Sequence, residues 1–191
     1  MSTRAYWLIG VILGLAVSSP AWAAAPPGWL IAGTAPTHYR FAVDPRSPVR
    51  WSKSASIRAR PSATRRGFGT LMQLIAATDY RGSRVRFSGY LRTHNAGRAQ
   101  MWMRVDGPDH QVLAFDNMDT HPVTGTTGWK RYSIVLKVPK NSLDIAFGVL
   151  LAGRGTVWAA AFKLAKVGRN VPLSAHGPLL GRKPRNLNFE Q

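Results

Sequence analysis

Past Ala24-Ala25-Pro26-Pro27, apolar residues recur at every second position, and clusters of Gly, Pro, Asn and Asp interrupt them every eight to twelve residues. Side chains alternate across a strand, so this spacing predicts β-strands at 39–44, 54–60, 70–76, 84–92, 100–106, 112–116, 131–138, 144–151 and 156–165. In 84–92, Val85, Phe87 and Leu91 point one way, while Arg84, Arg86, Ser88, Tyr90 and Arg92 point the other. One side is core and the other is wet and basic. In 131–138 the same pattern sets Tyr132, Ile134, Leu136 and Val138 inward against Arg131, Ser133 and Lys137. Segment 145–151 is apolar on both faces, which predicts a central strand. Residues suited to turn dihedrals stand at 80–83, 106–109, 125–128, 139–142 and 153–155. The fold class expected is all-β: an antiparallel β-sandwich of the jelly-roll kind, after an N-terminal signal peptide.

The two ends of the chain read differently. Residues 1–23 carry Arg4, then an apolar run from Ala5 to Val17, a break at Ser18-Ser19-Pro20 and the triplet Ala21-Trp22-Ala23. Thirteen apolar residues are fewer than the roughly 20 that span a bilayer. The segment therefore reads as a signal peptide cleaved after Ala23, with no transmembrane segment left in the product. Residues 24–168 form the sandwich domain, and 169–191 an extended basic tail. A periplasmic or secreted location follows from the leader.

Composition sharpens this picture. The chain has 191 residues, 26 Lys+Arg against 8 Asp+Glu, a net charge of +18 and no Cys. Absence of Cys excludes disulfides, Cys-ligated zinc, thiol catalysis and a lipoprotein anchor. The hydrophobic share of 45% is too high for a disordered polycation. A chain this basic adheres to anionic envelope surfaces by screened attraction.

The strands in this order resemble a jelly roll of the carbohydrate-binding-module-like, galactose-binding type found in exported bacterial proteins. The blocks that carry the resemblance are Gly67-Phe68-Gly69-Thr70-Leu71-Met72-Gln73, Tyr80-Arg81-Gly82, Met101-Trp102-Met103-Arg104-Val105-Asp106, Ala114-Phe115-Asp116-Asn117-Met118, Gly125-Thr126-Thr127, Val138-Pro139 and the 145–151 strand. Members of this uncharacterised family sometimes bear the label of AraC-type transcription regulators. The resemblance implies the sandwich fold more than any one function. Two stretches depart from the family pattern. Trp158-Ala159-Ala160-Ala161 lacks a pair of Asp, and Asn95-Ala96-Gly97-Arg98-Ala99 lacks a Trp.

Candidate chemistry is concentrated on one outward surface. Arg84, Arg86, Tyr90 and Arg92 share one side of a strand, and Trp102 and Arg104 share one side of the next if Met101, Met103 and Val105 face in. Arg forks match carboxylates, sulfates and phosphates, while Trp and Tyr stack on sugar rings. These six residues are the expected ligand contacts. Asp106, Asp109, Asp116 and Asp119 crowd one window but lack the alternating spacing of a calcium loop. His94, His110 and His121 have no partner motif for catalysis, and the sole Glu is Glu190. No catalytic residue, metal or cofactor is assigned. The expectation is a non-catalytic exported binding module for a carbohydrate or an anionic envelope polymer or lipid headgroup, with no specific nucleic acid. A regulator-associated or nucleic-acid-binding protein is the alternative, and an Asp-dependent hydrolase the third reading.

Overall fold

The computed structural model describes residues 25–44, Ser47, 53–64 and 66–174; the leader at 1–23 and the tail beyond 174 lie outside the described residues. Nine strands follow one another: β1 Leu30–Ala32, β2 Tyr39–Asp44, β3 Ser54–Ala59, β4 Phe68–Ala76, β5 Arg84–Asp106, β6 Val112–Asp116, β7 Val123–Lys137, β8 Asp144–Ala152 and β9 Thr156–Val167. Their helical content is three short 3-10 turns, at Pro36–His38, Thr78–Tyr80 and Pro108–His110. The strand order is β1-β4-β8-β5-β9-β3-β2, with β6 and β7 also on β5. Every pairing is antiparallel.

Strand β5 organises the molecule. Its first half runs between β7 and β9, and its second half between β8 and β6. The sheet therefore folds on itself into two layers. The first holds β1, β4, β8, β6 and the second half of β5; the second holds the first half of β5 with β7, β9, β3 and β2. The alternation of 84–92 and of 100–106 is as the sequence predicts, but the two segments form one continuous strand of 23 residues. Between them the buried positions run Leu91, Thr93, Ala96, Ala99, Met101, so two steps of three residues replace steps of two. Register shifts against β7 mark these bulges, and Asn95 takes φ 48°, a conformation Asn tolerates. The bulges bend the strand out of one layer and into the other while keeping apolar residues inward.

The core lies between the layers. Phe87 packs against Phe147 and Phe162 with ring centroids 5.0 Å apart in each pair, and Trp29 closes the group 5.7 Å from Phe162. Met101, Met103, Val105, Ile145 and Leu151 are wholly buried beside them. At the other end Tyr39 crosses from the second layer to the first. Its hydroxyl donates to the Gly67 carbonyl at 2.8 Å and accepts the Gly153 N–H at 3.0 Å. Gly69 makes room for it, since a Cβ there would lie 2.8 Å from the Tyr39 ring. Burial raises the Tyr39 pKa, and the Gly153 hydrogen bond only partly offsets that.

Beyond β9 the first part of the 169–191 segment lies along the free edge of β7. The Ser174 N–H bonds the Val135 carbonyl at 3.0 Å, and the Val135 N–H bonds Ser174 Oγ at 2.8 Å. The Arg84 guanidinium donates to the Val171 carbonyl.

Candidate functional site

The outer face of the first layer carries a cleft of about 560 Å³, within the range of ligand pockets. Its floor follows from strand register. One row of outward residues reads Ala32, Thr70, Leu150, Gln100 across β1, β4, β8 and β5. The next reads Leu30, Met72, Gly148, Trp102. The apolar character of both faces of β8 now has a cause: Phe147, Val149 and Leu151 face the core, while Ala146, Gly148 and Leu150 pave the cleft side.

Trp102 is the centre of this floor. Its Nε1–H donates to Thr70 Oγ1 at 2.9 Å, and the Thr70 hydroxyl donates to the Val149 carbonyl at 2.8 Å. Thr70 sits on β4, two strands from β5, so the indole must reach across β8. It passes where Gly148 presents no side chain. A Cβ at Gly148 would stand 2.2 Å from the Leu71 carbonyl oxygen, so the residue also lets β4 and β8 approach closely. The ring is thus pinned at its polar edge and half-buried beneath an open cleft.

Around the ring, Phe68 and Phe115 supply further aromatic wall, and Phe115 is 47% exposed. Gln100 Nε2 donates to the Asn117 carbonyl at 2.8 Å. Arg98 pairs with Asp119, and Arg104 Nε reaches Asp106 Oδ2 at 2.9 Å. Arg66 lines the same cleft with no ion pair to any described residue. An aromatic floor rimmed by amides, guanidiniums and one carboxylate is chemically suited to a ring with equatorial hydroxyls.

The six residues singled out in the sequence lie on one strand but on two sides of the molecule. Met101, Met103 and Val105 are fully buried, so Trp102 and Arg104 face the cleft. Arg84, Arg86, Tyr90 and Arg92 face outward from the second layer instead, where Arg92 stands 5.1 Å over the Trp158 ring. Thr70, Phe68, Gln100 and Phe115 are cleft residues that sequence reasoning did not select. The parity of Met101, Met103 and Val105 was a signal for Gln100; Phe68 and Thr70 come from β4 and Phe115 from β6, and only register joins them to it.

The acidic window is occupied by structure. Asp116 Oδ1 accepts the Met118 N–H at 2.8 Å, while Asp106 and Asp119 hold Arg104 and Arg98. Among the described residues no three His, Asp or Glu stand close enough to share a metal ion. His94 contacts the Asn95 side chain, and His121 contacts Thr120. The described residues contain no helix long and apolar enough to cross a membrane.

Comparisons with known proteins bear on the fold. No protein-family model matches the chain. It is 38% identical over 168 residues to an uncharacterized HTH-type transcriptional regulator, YbfP, of Bacillus subtilis (strain 168). That alignment takes in 86% of this chain and 57% of the regulator, so the chain spans little over half the length of the curated relative. Among solved structures, the C-terminal family 22 carbohydrate-binding module of Clostridium thermocellum Xyn10B superposes with a TM-score of 0.53 at 14% identity, over 76% of this chain and 89% of the module. A xylan-binding domain of family 22 gives 0.52 at 13% identity, over 79% and 94%. The enzymatically active domain of bacteriophage CBA120 tailspike protein 4 gives 0.59 at 12% identity, over 74% of this chain and 20% of that one. Identities this low speak for fold alone. The chain has the antiparallel β-sandwich fold of carbohydrate-binding modules.

Proposed function

We propose that the protein is a non-catalytic binding module whose cleft holds a carbohydrate chain against Trp102. The observation that carries this reading is the pinned indole. Its edge is committed to Thr70, so the ring is held in one orientation across an open cleft before any ligand arrives. Stacking on a preorganised ring avoids the entropy of ordering it. The amide of Gln100 and the Arg98–Asp119 pair add polar groups at one end, and Phe115 adds a second apolar surface at the other. Solved neighbours described as xylan-binding support xylan fragments as the first probes. Of the described acidic residues only Asp119 lines the cleft, and Arg98 engages it, which favours binding over paired-carboxylate hydrolysis.

Calorimetry with xylohexaose and a panel of neutral and acidic oligosaccharides tests the reading. Trp102→Ala should weaken binding roughly tenfold or more, and Phe115→Ala less, with both variants still folded at the assay temperature by circular dichroism. Saturable binding that neither variant alters, or no binding to any member of the panel, would overturn it. Export belongs to the same reading: an N-terminus starting at Ala24 in an extracytoplasmic fraction is the expected result. The likeness to a regulator favours a second reading, in which the same cleft senses a soluble saccharide for a transcription regulator. An unprocessed cytoplasmic chain would favour that one.

A further inference from the structure

The outer face of the second layer differs from the cleft face in charge. Arg40, Arg58, Arg84, Arg86, Arg92, Arg131, Lys137 and Lys163 all stand at outward register positions there. Five of the seven described Asp residues, Asp106, Asp109, Asp116, Asp119 and Asp144, lie on or beside β5's second half, β6 and β8. Within the basic face, β2 and β3 set Arg40 directly opposite Arg58. Like charges in directly opposed positions repel and cost stability. Among the described residues neither guanidinium has an ion-pair partner.

These two residues line a second pocket, of about 320 Å³, with Ala42, Val43, Asp44, Ser56 and Trp158. Register places them together: the row Ala42, Ser56, Trp158, Arg92 runs beside the row Arg40, Arg58, Thr156, His94. Ala42 leaves the floor low, and the Ser56 hydroxyl reaches the Ala42 carbonyl only at 3.5 Å. Arg92 is drawn toward the pocket wall by its position over the Trp158 ring. Asp44 is the one carboxylate in the lining, and it has contacts of its own.

We propose that this pocket is an anion site for a phosphate or sulfate ester, separate from the carbohydrate cleft on the opposite side of the sandwich. Two opposed guanidiniums present up to ten N–H donors in planar forks, a geometry that matches tetrahedral oxyanions. The oxyanion of such an ester, placed between Arg40 and Arg58, turns their repulsion into a shared attraction. The Ser56 hydroxyl, whose bond to the Ala42 carbonyl is long at 3.5 Å, can turn from it to donate to a third oxygen. Among the described residues no carboxylate pairs with either guanidinium, so the opposed pair is a stability cost of the kind binding sites carry.

Thermal melts and calorimetry of the full chain with inorganic phosphate, glucose 6-phosphate and phosphatidylglycerol vesicles test the proposal. Phosphate should raise the wild-type midpoint saturably. Arg40→Gln/Arg58→Gln should melt no lower than wild type without ligand, because the repulsion is gone, yet lose the phosphate shift and bind roughly tenfold more weakly. Lys137→Gln/Lys163→Gln removes two charges from the same face and should keep the shift, which also controls for the general stabilising action of phosphate salts. Tighter binding of glucose 6-phosphate marks a soluble ester as the source, and tighter binding of vesicles marks a lipid headgroup; either supports the site. Equal losses in the two double variants, a shift that survives Arg40→Gln/Arg58→Gln, or no shift in wild type would overturn it.

Discussion

Removing the Phe87 ring should cost more stability than any change at the cleft, because that ring joins the two layers. Phe87 is fully buried and touches Phe147 of the first layer and Phe162 of the second, each at 5.0 Å. Phe→Ala at such a site costs about 3–5 kcal/mol through lost transfer energy and the cavity left behind. Domains of this size are stable by about 5–15 kcal/mol, so the loss is a large share of the whole. With a urea slope of about 2 kcal/mol/M, the unfolding midpoint of Phe87→Ala should fall by roughly 2 M. Phe147→Ala, at 6% exposure, should behave alike. If the pair spans the layers as described, the double variant should fall short of the summed losses by about 0.5–1.5 kcal/mol. A drop under about 0.5 M at unchanged slope, or strict additivity, would refute the inference that these rings fasten one layer to the other.

Tyr39→Phe leaves the Gly67 carbonyl and Gly153 N–H without their partner and should cost about 1–3 kcal/mol at neutral pH by urea unfolding. The folded protein holds this phenol neutral above its ordinary value of 10.0, so its contribution is complete below pH 10 and is lost as pH rises through the raised folded value. The stability gap between wild type and Tyr39→Phe should therefore narrow above pH 10, while burial of Tyr132 gives both proteins a loss of the same sign. Gly148→Ala should destabilise by about 1–3 kcal/mol, since its Cβ would meet β4 backbone and not a side chain that can move. It should also weaken oligosaccharide binding, by disturbing the floor under Trp102.

Much of this molecule was written in its alternation. Strands 39–44 and 112–116 have the expected bounds, because each is a short run with its own turn residues at both ends. The three-residue β1 between Gly28 and Gly33 is too short to show a period. Asn95-Ala96-Gly97 falls between two predicted strands, yet it continues β5, because a bulged corner uses the same small and left-handed-tolerant residues as a turn. Gly125-Thr126-Thr127-Gly128 is absorbed into β7 for a related reason, since it pairs with that corner. The site was half legible. Parity along β5 gives Trp102 and Arg104 their outward direction, but the corner sends the outward side of each half to a different side of the sandwich. Nothing local to Arg84 or Trp102 encodes that separation. Thr70 and Phe115 become neighbours of Trp102 only through strand order.

The pairing of β3 with β9 has a consequence for how the chain is made. Arg58 meets Thr156, and the two are 98 residues apart. At about 5–20 residues per second, synthesis leaves the β2–β3 hairpin without its neighbour for roughly 5–20 s. During that interval Phe41 and Ile57, both buried in the finished fold, have no second layer to cover them. An isolated two-stranded hairpin is marginal in water, so the early third of the chain waits, unfolded and adhesive, for the last strand to arrive. A nascent chain of this design depends on a holding chaperone more than one whose neighbours in space are neighbours in sequence.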